Sequence, residues 1–176
     1  MKRVISILLL LLWTAVLPAA ADRSFSPFEY VDGQSGGGRY LYYDFPDIGL
    51  NLPIEWKDRV TLQTNDDGVS FYQTASYERY AAEGVSGGGF LFQLSASEDE
   101  RFRDLPACKY LGFSENAGLH FYLVLPSDDP AWPDEAIEAE YAGMAGQIDL
   151  IASLARIRPS LSFYTEGVES TDVGMS

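Results

Sequence analysis

The sequence predicts an α+β domain built on a single, mostly antiparallel sheet with helices on both of its faces. Three observations predict it. The run Gly118-Leu119-His120-Phe121-Tyr122-Leu123-Val124-Leu125-Pro126 is opened by Gly, closed by Pro and otherwise β-forming, as expected of an interior strand covered above and below. Two pairs of β-forming runs are closed by turn chemistry, at Asn65-Asp66-Asp67-Gly68 and at Glu115-Asn116-Ala117-Gly118. Finally, Ile137, Tyr141, Met144, Ile148, Ile151 and Leu154 step by four and three, the spacing of one helix laid on a sheet.

Taken in order, residues 1–21 have the form of a signal peptide. Lys2 and Arg3 precede an apolar stretch from Val4 to Leu17, and Pro18 breaks it before Ala19-Ala20-Ala21. The stretch is short for a membrane span, so no transmembrane segment is expected after cleavage. Residues 22–38 are polar, contain Ser35-Gly36-Gly37-Gly38 and are expected to form a flexible leader. The domain then occupies 39–158. Residues 39–45 and 48–52 suit two strands separated by Pro46-Asp47, and Pro53 to Lys57 suits one helical turn begun by proline. Strands over 59–64 and 69–74 pair through the Asn65 turn. Ser76 is a candidate N-cap for a short helix ended by Gly84. Gly87-Gly88-Gly89 leads into a strand over 90–96, and the charged stretch from Glu98 to Leu105 belongs to the surface. Residues 108–114 and 119–125 form a hairpin in which Ser114 faces Leu119, His120 faces Phe113 and Cys108 faces Leu125. The acidic loop Ser127-Asp128-Asp129-Pro130 precedes the single long helix, and residues 159–176 are expected to be a disordered tail.

Composition narrows the function more by exclusion than by assignment. The net charge of -14 becomes -16 on signal removal, because Lys2 and Arg3 leave and no Asp or Glu lies in the first 21 residues. Nucleic acid is therefore excluded as a partner, since that contact needs clustered Lys and Arg. One cysteine cannot make an internal disulfide, so stability must come from a packed core.

The element order, together with Leu50-Asn51-Leu52-Pro53-Ile54-Glu55-Trp56, Asp67-Gly68-Val69-Ser70-Phe71-Tyr72, Gly88-Gly89-Phe90-Leu91-Phe92 and Leu123-Val124-Leu125-Pro126-Ser127-Asp128, resembles small exported bacterial proteins with a PsbP-like α/β/α sandwich. The resemblance spans about 43–157 and implies a fold. It implies no activity, because proteins of that architecture have unrelated jobs, and no functional residue is carried over from it.

A Cys-His nucleophile is the sharpest enzymatic idea, Cys108 and His120 each being the only residue of its kind. The expected hairpin register opposes it: five residues at about 3.3 Å each place the two on the order of 17 Å apart, on opposite faces. A serine nucleophile would need the same histidine as its base, and no Gly-x-Ser-x-Gly elbow is present. Paired acids such as Asp66 with Asp67 and Asp128 with Asp129 suit solvated turns. The same acidic loops could hold calcium, Asp66 and Asp67 being the candidates, but Asn65-Asp66-Asp67-Gly68 lacks the alternate-position acids and distal Glu of a calcium loop, so no metal and no cofactor is expected. The remaining signal is aromatic: Trp132 beside Asp128 and Asp129, with Tyr77 and Tyr80 on the short helix, are candidate contact anchors for an envelope protein or a glycan. The expectation is a secreted or extracytoplasmic, monomeric, non-catalytic binding or accessory module. The alternatives are a hydrolase using converging carboxylates and a calcium-dependent surface module.

Overall fold

The computed structural model describes residues 30–35, 38–66, 68–128 and 130–159. The signal segment 1–21 and most of the tail 159–176 lie outside the described residues. The chain is α+β, but its strands form two antiparallel sheets where one was expected. Strands β1 (Tyr30–Ser35), β2 (Gly38–Asp44), β3 (Ile48–Pro53) and β9 (Arg156–Ile157) make the first sheet, in the order β1-β2-β3-β9. Strands β4 (Val60–Asn65), β5 (Gly68–Gln73), β6 (Phe90–Ser97), β7 (Cys108–Ser114) and β8 (Leu119–Val124) make the second, in the order β4-β5-β6-β8-β7. The split follows from the 3-10 turn Ile54–Trp56, which separates β3 from β4 and buries Trp56 between the layers.

Residues 30–35 fall within the expected leader, yet they pair with β2 from Tyr30 opposite Tyr43 to Ser35 opposite Gly38. A backbone ladder needs no apolar face, which is why the pattern-based reading missed this strand.

One face of each sheet supplies the core. Leu41, Leu50, Leu52 and Ile48 from the first sheet meet Phe71, Phe92, Phe121 and Leu123 from the second, all buried. The rings interlock: Phe71 stacks on Phe92 with centroids 4.5 Å apart and receives the edge of Tyr43 at 6.1 Å, while Trp56 lies 6.3 Å from Phe92. Such offset and edge-to-face pairs add to the gain from burying the rings.

The long helix is two. Helix α2 (Glu135–Ala145) is capped by the Asp134 side chain, which accepts from the backbone N–H of Ala136 and Ile137; it ends at Gly146, and α3 (Ile148–Leu154) follows. The break sits where the Gln147 side chain accepts the Trp56 indole N–H at 2.6 Å. It lets α2 pack on β6 while α3 contacts β3 and β7, one strand from each sheet. Tyr141, Met144, Ile148 and Ile151 are buried as the periodicity requires.

Helix α1 (Thr74–Ala82) starts three residues earlier than expected, with Gln73 at its N-cap position and Ser76 inside its first turn. Ser76 is fully buried and acts as a node: its hydroxyl donates to Gln73 Oε1 at 2.6 Å and accepts the Trp132 backbone N–H at 2.9 Å. Strand β8 is interior, between β6 and β7, but it is second from the edge and its outer face is only partly covered. Helices on both faces of one sheet are therefore not observed; the second sheet is roofed by the first on one side and lies half open on the other.

Candidate functional site

The hairpin register holds at its turn and fails at its far end. Ser114 faces Leu119 and Phe113 faces His120, as expected, but Cys108 faces Val124 in place of Leu125. The slip is a bulge between Tyr110 and Gly112, where Gly112 adopts φ 145, a conformation open to glycine. Because side chains alternate along a strand, one extra residue turns the start of β7 over. Cys108 and His120 consequently share the outer face, against the sequence expectation. They remain remote: four positions along β8 separate His120 from Val124, the partner of Cys108, about 13 Å, with Tyr110 and Tyr122 between them.

The outer face of the second sheet thus collects, row by row, Gln93, Ser95 and Ser97 on β6, His120, Tyr122 and Val124 on β8, and Cys108, Tyr110 and Phe113 on β7. Its aromatic rings form a line. Phe113 lies 4.7 Å from His120, His120 lies 5.9 Å from Tyr110, Tyr110 lies 5.5 Å from Tyr122, and Tyr122 meets the edge of Phe102 at 6.0 Å. Phe113 is 44% exposed, His120 and Tyr110 are half-buried, and Tyr122 is buried. The Tyr110 hydroxyl and His120 Nδ1 are 3.2 Å apart. Arg103 covers the Tyr110 ring at 4.8 Å and Arg101 covers Phe102 at 5.1 Å.

At the far end of this line is a groove of about 380 Å³ bounded by Ser95, Ser97, Arg101, Phe102, Cys108 and Val124, with Tyr122 as its floor. The size is at the low end for small-molecule sites, which span about 300–1,000 Å³. The 3-10 turn Glu100–Phe102 forms its rim, held by the Tyr122 hydroxyl donating to the Asp99 carbonyl at 3.2 Å and by the Asp99 side chain accepting the Arg101 backbone N–H. Burial pushes the Cys108 thiol above its ordinary pKa, so it stays protonated and is a poor nucleophile. Burial, then the neighbouring Tyr110, also raises the Tyr122 phenol.

Beyond the groove the same face is polar. Asn65 Nδ2 donates to the Ser70 hydroxyl, Ser70 to Gln93 Oε1 at 3.4 Å, and Gln93 Nε2 to the Ser95 hydroxyl at 3.0 Å. Ser97 stands directly across from His120 on the neighbouring strand, but its hydroxyl accepts the Asp99 backbone N–H at 3.0 Å while Tyr110 takes the imidazole. Among the described residues no hydrogen bond joins a base to that serine.

The aromatic residues chosen from sequence lie elsewhere and divide. Tyr80 meets Trp132 edge to face at 4.9 Å and donates to the Ala131 carbonyl at 3.1 Å; its ring stands over Gly88, where a side chain would collide with it. These contacts fasten the loop before α2 onto α1. Tyr77 turns the other way, 5.3 Å from Tyr72, with its hydroxyl 2.5 Å from Gln63 Nε2. Asp128 is exposed next to Ser127, and Asp129 lies outside the described residues. Asp66 is exposed on its turn, and Asp67 is also outside them. Among the described residues no three His, Cys, Asp or Glu side chains converge as a metal ion would need, and no helix is long and apolar enough to cross a membrane.

The sequence puts His120 on one face with Phe113, Tyr122 and Val124, as a core or rim residue; what it misses is Tyr110 joining them and the row of rings as a site. Tyr110, Phe113, His120 and Tyr122 had a detectable signal, aromatic residues facing each other across a hairpin, but the slip of Tyr110 onto that face depends on the bulge. Comparison with protein-family models, curated proteins and solved structures finds no match to this chain.

Proposed function

We infer that this chain is an exported, non-catalytic binding module whose recognition surface is the outer face of β6, β8 and β7. The observation that carries the reading is the row Phe113, His120 and Tyr110: solvent-reaching rings on strands paired through a hairpin, opening at one end into a groove. Rigid aromatic side chains lose little rotamer entropy on contact, which makes them efficient anchors. Catalysis has little to work with here, since the thiol is protonated, the imidazole is engaged by a phenol and, among the described residues, no hydrogen bond joins Ser97 to a base. Export rests on the basic, apolar and small-residue sequence of 1–21. The PsbP-like reading of the fold rests on four short segments, which overlap core strands β3, β5, β6 and β8.

The test is recovery of a partner from cell-envelope extract with three forms of the secreted chain. The natural chain and Trp132→Ala should retain the same component, and Phe113→Asp should lose it while melting at the same temperature. Loss with Trp132→Ala alone would move the site to the Tyr80–Trp132 loop. Export is tested by the N-terminus of the chain recovered outside the cell, expected at Asp22; an intact Met1 there would defeat that part of the reading.

A further inference from the structure

We propose that the ligand of this face is a neutral carbohydrate, bound with its apolar ring faces on Phe113 and His120 and its hydroxyls in the groove. The proposal rests on the binding reading above and adds the chemistry of the ligand.

Hydrogen-bond capacity is the first argument. Ser95 and Ser97 each already accept one internal bond, from Gln93 Nε2 and from the Asp99 backbone N–H, both at 3.0 Å. A hydroxyl carries one donor and two acceptor positions, so each keeps its own O–H to give and one lone pair to receive. Arg101 commits Nε to Asp99 at 3.0 Å and retains its other N–H groups at the rim. A ligand that both donates and accepts at closely spaced points matches this set, and adjacent sugar hydroxyls do so.

Charge is the second. The rim segment from Glu98 to Asp104 holds Glu98, Asp99, Glu100 and Asp104 against Arg101 and Arg103, so its field repels anions. Both guanidinium groups already face carboxylates, Arg101 with Asp99 and Arg103 with Glu100. A cation in the groove would meet Arg101 directly. Neither sign of charge is favoured there, which leaves an uncharged polar molecule.

Shape is the third. From exposed Phe113 the row continues through half-buried His120 to Tyr110, which Arg103 covers, and the distance from His120 to the groove end of β8 is about 13 Å. An extended chain of rings with alternating apolar faces and polar edges fits a lane longer than one ring. A free monosaccharide would use only part of it.

The experiment is calorimetric titration of the secreted chain with neutral glucose, mannose and N-acetylglucosamine oligomers, with hexuronic acid and glucosamine oligomers as charged counterparts. Binding of a neutral oligomer is expected, weakened about tenfold by His120→Ala and by Ser97→Ala, the effect of one ring contact or one hydrogen bond. Phe113→Asp should weaken it further. If only charged oligomers bind, the neutral assignment is overturned; if no oligomer binds while an envelope component is still lost with Phe113→Asp, the carbohydrate assignment is overturned; in both cases the binding surface stands. If no component and no oligomer responds to Phe113→Asp, both fall together.

Discussion

Cys108 stands opposite Val124, one residue short of the partner that simple alternation assigns, and this single slip decides which side chains share the outer face. The residue that permits it is Gly112, at φ 145 with Ile157 Cγ1 2.9 Å from where a Cβ would sit.

Gly112→Ala should therefore destabilise the chain by about 1–3 kcal/mol, the usual cost of forcing a side chain into a glycine-only conformation. Urea unfolding would measure it. A stability equal to the natural chain would mean that the bulge moves at no cost and that the placement of Tyr110 is not fixed by Gly112.

Phe71 is fully buried between Phe92 and Tyr43, whereas Phe113 is 44% exposed. Phe71→Ala should cost about 3–5 kcal/mol. Phe113→Ala should stay within about 0.5 kcal/mol. The pair, compared by thermal unfolding, separates core from recognition surface; equal effects would contradict the two-layer arrangement.

Ser76→Ala should cost about 1–3 kcal/mol, because it strips a buried partner from both Gln73 and the Trp132 backbone. Trp132 fluorescence should also shift toward that of water-exposed indole as its loop loosens. A silent substitution would remove Ser76 as the link between α1 and the Trp132 loop.

Stability should fall in alkali. The Cys108 thiol and the Tyr42 and Tyr122 phenols are all raised, in each case chiefly by burial, above ordinary values of 9.0 for the thiol and 10.0 for the phenols. The folded state thus holds these protons more tightly than the unfolded one. Their contribution is complete below pH 9 and is lost as pH climbs through the folded-state values. Melting temperature from pH 7 to 11 should be flat at first and then drop, with the drop beginning later in Cys108→Ala. Rising stability over that range would contradict the burial of all three groups.

The sequence by itself determined most of the strands, all but β1 and β9, and two of their pairings. Turn residues at Asn65–Gly68 and at Glu115–Gly118 set two hairpins, because those positions demand conformations few residues adopt, and β8 was legible from its continuous β-forming content. The buried side of α2 and α3 was legible for the same kind of reason, a period matched to 3.6 residues per turn. Only the tertiary structure decided that the strands form two sheets, that residues 30–35 join one of them, and that the helix breaks at Gly146 where Gln147 meets Trp56, 91 positions away in the chain. It likewise decided the site. Tyr80 and Trp132 are drawn into packing by Ser76 and Ala131, whereas Tyr110 is turned outward by a bulge whose cause, Gly112 beneath Ile157, lies between residues far apart in sequence. Local chemistry fixes what a segment prefers to be, but which face it shows depends on long-range contacts that no window of neighbouring residues contains.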